Sequence, residues 1–317
     1  MLYPWQQLHW QRFTQQHRDE RLHHAYIISG MKGLGQFAFA EHCAAWLLCE
    51  KKLATDRCHH CKSCKLLQAA NHPDLIHLLP EEGKKSISIA AIRELTTAID
   101  KTSNQGGYQI VIIEPAEAMT IAAANALLKT LEEPIGQVLF MLVNYEVGRL
   151  PMTIKSRCQR LSFVANRSAE TWLLQQLPHV DPKLALNLAK GAPLLALEQQ
   201  SSGFNDSRQL VWQQIAAVLV KQTTWQAASK ALKDVDNLTI LVIMLSLVTD
   251  LLKQQLGVLS SQLDNIDLIA SLSVVSIPIE RLLELHQQLE TVRRLLQRGA
   301  GVNFDLQLLN IWRLWHG

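Results

Sequence analysis

The stretch Ile27–Phe37, I-I-S-G-M-K-G-L-G-Q-F, decides how the rest of the chain reads. An apolar strand, Tyr26 to Ile28, runs into a turn containing Gly30, Gly33 and Gly35, then into a helix-forming segment rich in Ala and Phe. Strand, glycine turn and helix in this order form a phosphate-binding loop, in which peptide N–H groups at a helix N-terminus face an anion. A working loop of the form G-x-x-x-x-G-K-[ST] starting at Gly30 needs Lys and then Ser or Thr after Gly35. The Lys holds the β- and γ-phosphates and the hydroxyl ligates Mg²⁺. Here those positions are Gln36, which carries no charge, and Phe37, which offers no oxygen to a metal. Lys32 lies inside the turn, too early to take the missing lysine's place. The expectation is a nucleotide-binding fold that hydrolyses nothing; a functionless glycine cluster between strand and helix is the plain alternative.

Working outward, Pro4–His17 carries Trp5, Leu8, Arg12 and Phe13 at helical spacing. Gly35–Cys49 reads as a helix with Phe37, Ala40, Ala44, Ala45 and Leu48 on a buried side, and His72–Pro80 as a short strand between prolines. Ser88–Thr102 is an amphipathic helix capped by Ser88, with Ile89, Ile92, Leu95 and Ile99 on one side. Gln109–Glu114, after the Gly106-Gly107 turn, and Val138–Val143 are strands buried on both faces; between them Thr120 caps a helix over Ile121–Glu133 that Pro134 ends. Strand and helix alternate from residue 25 to about 164, the pattern of a doubly wound α/β domain with a parallel sheet. Beyond it come three short helical patterns over Ser168–Gln199, broken at Pro178, Pro182 and Pro193, and a linker-like Ser201–Asp206. The remainder, Ser207–Gly317, is helical throughout, interrupted at Gly257, Pro278 and Gly299-Ala-Gly301, with a last helix capped at Asn303.

Composition narrows the classes. The chain has 317 residues, 48% of them hydrophobic, enough for two or three domains with their own cores. Its 31 basic and 28 acidic residues give a net charge of +3, too little for a basic nucleic-acid groove, so any DNA contact is local or shared. The longest apolar run, Leu238–Val248, is shorter than the roughly 20 residues that span a bilayer. No basic segment followed by an apolar core opens the chain, and a cytoplasmic, membrane-free protein is expected.

Four of six cysteines, Cys49, Cys58, Cys61 and Cys64, form C-x8-C-x2-C-x2-C. Four thiolates this close can enclose a structural Zn²⁺ with no open position, and His59 or His60 could stand in for one ligand. A redox pair or unliganded thiols are the competing readings. Glu114 ends a strand where nucleotide hydrolases place an acid for Mg²⁺, but the following residue is Pro115, which cannot activate water. Asn144 ends the next strand, where it is expected to bond the local turn. Ser156-Arg157-Cys158 presents one arginine at the edge of the α/β domain, where its planar fork could span two phosphate oxygens of another molecule.

Taken together, Arg21-Leu-His-His-Ala-Tyr26, the cysteine spacing, Asn71-His-Pro-Asp74, Asn125-Ala-Leu-Leu-Lys-Thr-Leu-Glu-Glu-Pro134 and Ser156-Arg157-Cys158 resemble the delta-prime family of bacterial DNA polymerase III clamp-loader subunits, which are AAA+ proteins. The final third matches only in length and helicity. The resemblance implies an AAA+ α/β domain over residues 1–165 with a zinc module at 49–64, a helical lid at 166–205 and an all-α collar at 206–317. It implies a ring of five with gamma/tau and delta subunits that loads a sliding clamp onto primed DNA. In that role Gly30, Gly33 and Gly35 are a vestigial loop, ATP is not bound by this subunit, and Arg157 reaches ATP on its neighbour. Leu194, in Gly191-Ala-Pro-Leu194, takes the place of a lid arginine that senses ATP in active relatives. A self-sufficient ATPase using Lys32 and Glu114, or a zinc-dependent DNA-binding protein, are the alternatives.

Overall fold

The computed structural model describes residues 2–99, 107–134, 136–146, 148–269, 277–297 and 301–316. It divides into two compact units: Met1–Trp172 with Ala192–Leu194, and Leu173–Gly191 with Leu195–Gly317.

The first unit is built on five parallel strands, β1 (Ala25–Ser29), β2 (Leu75–Leu78), β3 (Gln109–Ile113), β4 (Val138–Asn144) and β5 (Gln159–Ser162), in the order β2-β3-β4-β1-β5. Register pairs Ala25 with Phe140 and Tyr26 with Gln159, so β1 lies between β4 and β5. Because side chains alternate across a strand, Tyr26, Ile28, Ile110, Ile112, Leu139 and Met141 join one core while Ala25, Ile27, Val111, Ile113, Val138 and Phe140 join another. Helices cover both faces, which is why β1, β3 and β4 read as unbroken apolar runs. On one face lie α1 (Gln7–Arg18) and α2 (Gln36–Leu48), with Trp10, Phe13, Phe39 and Trp46 buried. On the other lie α4 (Ile89–Ile99), α5 (Ile121–Glu132) and α6 (Met152–Lys155). Between α2 and β2 stands the short α3 (Lys62–Gln68).

The expected caps are present: Ser88 Oγ accepts the Ala91 N–H at 3.2 Å and Thr120 Oγ1 that of Ala123 at 3.1 Å. The end expected for the first of these helices, at Thr102, lies outside the described residues, as does Gly106. One reading of this unit needs correction, and one strand had none. In α2 only Ala40 and Ala44 of the expected side are buried, and Phe39, Cys43, Trp46 and Leu47 complete it. This helix packs against both the sheet and α1, so its buried surface is wider than one stripe. β5 carries a single buried residue, Leu161, at the sheet's edge and so has no periodic signal to announce it.

The helices α7 (Arg167–Gln176), α8 (Pro182–Leu188) and α9 (Pro193–Ser201) follow, two of them starting on the prolines that break the pattern. The expected linker at 201–206 is a tight turn: Gly203, at φ 71°, caps α10 (Phe204–Leu219) directly. Then come α11 (Trp225–Ala231), α12 (Asn237–Gln255), α13 (Ile266–Ile269), α14 (Ile279–Gln297) and α15 (Phe304–His316), the last capped by Asn303 Oδ1 at 3.2 Å from the Leu306 N–H. Of the expected break at 299–301, Gly299 and Ala300 lie outside the described residues. By length and composition α12 could cross a bilayer, and half of that apolar window is buried in the helical core. That core joins α10, α12, α14 and α15 around Ile215, Met244, Leu285 and Trp312.

Candidate functional site

All five strands are parallel, so their carboxyl ends share one edge, where ligands bind in sheets of this kind. The glycine loop leaves β1 at this edge. Gly35 has φ 76°, a left-handed conformation open to glycine, and a Cβ there would lie 2.7 Å from the Tyr3 ring. At Gly30 a Cβ would lie 2.8 Å from the Phe163 carbonyl. Gly33, at φ 91°, accepts the Leu194 N–H at 3.0 Å.

Inside the loop the protein makes its own contacts. Gln36, in the place of the lysine, is buried and turned inward, its Nε2 donating to the Met31 carbonyl at 2.8 Å. Trp5 Nε1 donates to the Leu34 carbonyl at 2.9 Å, and Gln6 Nε2 donates to Leu34 and Gly35 at 3.0 and 2.8 Å. Tyr3 stacks on Trp5 with ring centroids 5.0 Å apart, and Trp172 meets both rings edge-on. The loop is thus tied by side chains from the chain's first residues. Reading Trp5 only as a helix-packing residue misses this role; the cluster Tyr3-Pro-Trp5 was the available signal. Lys32 is exposed.

The acids at the strand ends are engaged too. Tyr145 Oη donates to Glu114 in a very short hydrogen bond, and the Tyr145 N–H donates to both Glu117 oxygens at 3.1 and 3.3 Å. Burial, then the Glu114 carboxylate, push the Tyr145 phenol well up. Burial also raises Glu117. Asn144, with its amide nitrogen facing Glu117 Oε2 at 2.8 Å, joins the same set and bonds the Glu146 carbonyl of the turn, as expected.

The cysteines are brought together from α2's end and the approach to α3. Their sulfurs lie within 4.8 Å of one another and all four residues are buried. Sγ separations are 3.7 Å for Cys49–Cys64, 3.9 Å for Cys58–Cys64 and 4.0 Å for Cys49–Cys61. Those are too long for disulfides, whereas sulfurs about 2.3 Å from a tetrahedral Zn²⁺ stand about 3.8 Å apart. N–H groups of Cys58, Cys61 and Cys64 donate to Cys49, Cys58 and Cys61 sulfurs at 3.3 to 3.4 Å, support suited to thiolates. Burial raises Cys49 and Cys64, while at Cys58 and Cys61 backbone donors outweigh burial and lower the thiol. These four residues could hold a metal ion. His59 and His60 are exposed and turn elsewhere, to Asp56 and to the Cys58 carbonyl. His72, which the sequence shows only as the start of a strand and part of a motif, is buried and ties the cluster to β2. Its Nε2 pairs with Ser63 Oγ at 2.8 Å and its Nδ1 accepts the Asp74 N–H, while Ser63 Oγ donates to the Leu48 carbonyl.

Arg157 follows α6 at the rim of the unit. Its Nε donates to Glu132 Oε1 at 2.7 Å, with Nη2 on the same oxygen, and Nη1 donates to the Thr153 carbonyl at 3.0 Å and Ser156 Oγ at 3.1 Å. His23, His24, Leu131, Cys158 and Gln159 complete an open depression around it. Burial pushes the Cys158 thiol up to about 12, which disfavours the thiolate.

Residues 5–167 match the family described as DNA polymerase III, delta subunit, and residues 202–317 that described as DNA polymerase III, delta subunit, C terminal. DNA polymerase III subunit delta' of Escherichia coli is 32% identical over 98% of this chain and 93% of its own length. That of Pseudomonas aeruginosa is 39% identical over 70% of this chain and 68% of its own. Among solved structures, a DNA polymerase III gamma subunit-related protein of Thermotoga maritima aligns with a TM-score of 0.51 at 17% identity, over 96% of this chain and 97% of that one, a likeness of fold.

Proposed function

This chain belongs to the family of delta-prime subunits of DNA polymerase III clamp loaders, and from that premise we propose that it serves the loader without hydrolysing ATP, lending Arg157 to ATP held by a neighbour. The observation that carries the reading is the loop. Gln36 fills the lysine position and bonds the loop's own Met31 carbonyl, while Trp5 and Gln6 occupy the carbonyls of Leu34 and Gly35. Phe37 and Pro115 supply neither a metal ligand nor a base, and Glu114 is held by Tyr145. With Gln36 there, the position that a lysine takes in a working loop offers no charge to β- and γ-phosphates, and the bonds to the Leu34 and Gly35 carbonyls fix the loop's shape.

In this reading the neighbour is a tau/gamma-type subunit, in a five-membered ring with delta that opens a sliding clamp on primed DNA in the cytoplasm. Residues 1–165 act as the AAA+ body, 166–205 as the lid and 206–317 as the collar that joins the ring. Cys49, Cys58, Cys61 and Cys64 hold a structural Zn²⁺, whose binding contributes on the order of 10 kcal/mol to ordering the module. The test is a reconstituted loader carrying Arg157→Ala. Because arginines acting in trans contribute roughly 10³–10⁵ in rate at their own site, while other sites keep theirs, total hydrolysis should fall in part and clamp loading further. Arg157→Lys should not rescue it, since an ammonium cannot bridge two oxygens. Size-exclusion chromatography shows whether the ring is intact; normal loading by an assembled mutant ring would reject the role.

A further inference from the structure

We propose that Glu132 is a positioning residue that parks Arg157 and sets how readily its guanidinium passes to a phosphate on the neighbouring subunit. This rests on the reading of Arg157 as an arginine acting in trans. A guanidinium has five N–H groups. Contacts to Glu132, the Thr153 carbonyl and Ser156 Oγ engage four of them, leaving one on Nη2. A forked grip on phosphate needs two parallel N–H groups. As placed, then, Arg157 cannot make that grip until one contact is exchanged.

Which contact yields follows from chemistry. Nη1 is anchored by α6 itself and the residue beside it, whereas Nε and Nη2 form the edge that arginine offers to carboxylates and phosphates alike. Glu132 Oε1 occupies that edge, standing where a phosphate oxygen must come. Both side chains are partly solvated, 33% exposed for Arg157 and 48% for Glu132, so the exchange disturbs no core. The backbone that carries Glu132 is held, for the residue ends α5, where His24 Nε2 donates to the neighbouring Leu131 carbonyl at 2.7 Å. A γ-phosphate, carrying more charge than a carboxylate, can displace it; a diphosphate, with no oxygen at that position, leaves Arg157 parked. Glu132 thereby sets how strongly the triphosphate must compete before the arginine engages it.

The test uses the reconstituted loader with its other ATP sites inactivated at their loop lysines, so that only the site facing Arg157 is read, by affinity for a slowly hydrolysed ATP analogue and by ATP turnover. An exposed ion pair is weak, so Glu132→Gln should tighten the analogue by about two- to five-fold. Turnover at saturation should not change, because the engaged state no longer uses Glu132. In an Arg157→Ala background the same substitution should have no effect. Glu132→Ser, a second variant, should shift affinity in the same direction. Unchanged or weakened affinity with Glu132→Gln, in a ring that Arg157→Ala does impair, would overturn the proposal while leaving Arg157's role standing. So would a gain that persists without Arg157. If Arg157→Ala alone changes nothing, the role itself fails and the proposal with it.

Discussion

Gln36 shows how little of a catalytic loop one side chain can restore. Gln36→Lys would return the charge, but Phe37 still gives Mg²⁺ no hydroxyl, Pro115 no base, and Tyr3 and Trp5, with Trp172 against both rings, still lie on the loop. The isolated chain carrying that substitution should show no more ATP hydrolysis than the wild type, and neither should exceed background. Turnover by the wild type that Lys32→Ala abolishes would contradict this. Gly35 sets a structural requirement nearby. With φ 76° and Tyr3 atoms 2.7 Å from a built Cβ, Gly35→Ala should lower stability by about 1–3 kcal/mol, read as a lower urea midpoint.

Among the elements, the cysteine module makes the sharpest demand. One Zn²⁺ per chain is expected by elemental analysis, and Cys61→Ser should remove most of it and loosen α3, which Cys61 caps through its sulfur. Metal content far below one per chain that Cys61→Ser leaves unaltered would refute the site. This module was legible because four identical residues at short spacing carry their chemistry with them. The central strands were legible for a related reason: burial on both faces writes an apolar run into β3 and β4. What escaped were features fixed by distant partners. β5 is a strand because β1 offers it an edge, pairing Ile28 with Leu161, and nothing local says so. The tie between His72 and Ser63, the Tyr145–Glu114 contact and the pairing of Glu132 with Arg157 each join residues that only the fold brings together.

At the scale of the whole molecule the two units carry different electrostatic loads. In the first, burial holds His9, His17, His23, His42 and His72 below the ordinary histidine value of 6.5. Below that pH the unfolded chain binds more protons than the folded one, so this contribution is intact above about pH 6.5 and is lost as pH falls through the lowered values. The urea midpoint should drop between pH 7 and pH 5, with zinc content followed in parallel because acid also releases thiolate-bound metal. In the second unit, Arg208, 2% exposed in its side chain, joins α10 to the segment before α14 through Asp267 at 3.0 and 2.5 Å and Asn265 at 3.2 Å. Arg208→Ala should cost about 1–3 kcal/mol, measured by urea unfolding, because Asp267 is 34% exposed in its side chain and Asn265 keeps its bonds to Ser246 and Asp250. The strand order also bears on how the protein is made. β1 is finished early in synthesis, yet both strands that flank it, β4 and β5, arrive only after residue 138. Until then the five residues Ala25–Ser29, all of which end up buried, have two open edges on the ribosome. The module between Cys49 and Cys64 closes within its own short window, so it can be complete while β1 is still waiting. Translation speed between α3 and β4 therefore sets how long an aggregation-prone strand stays exposed to chaperones and to other nascent chains.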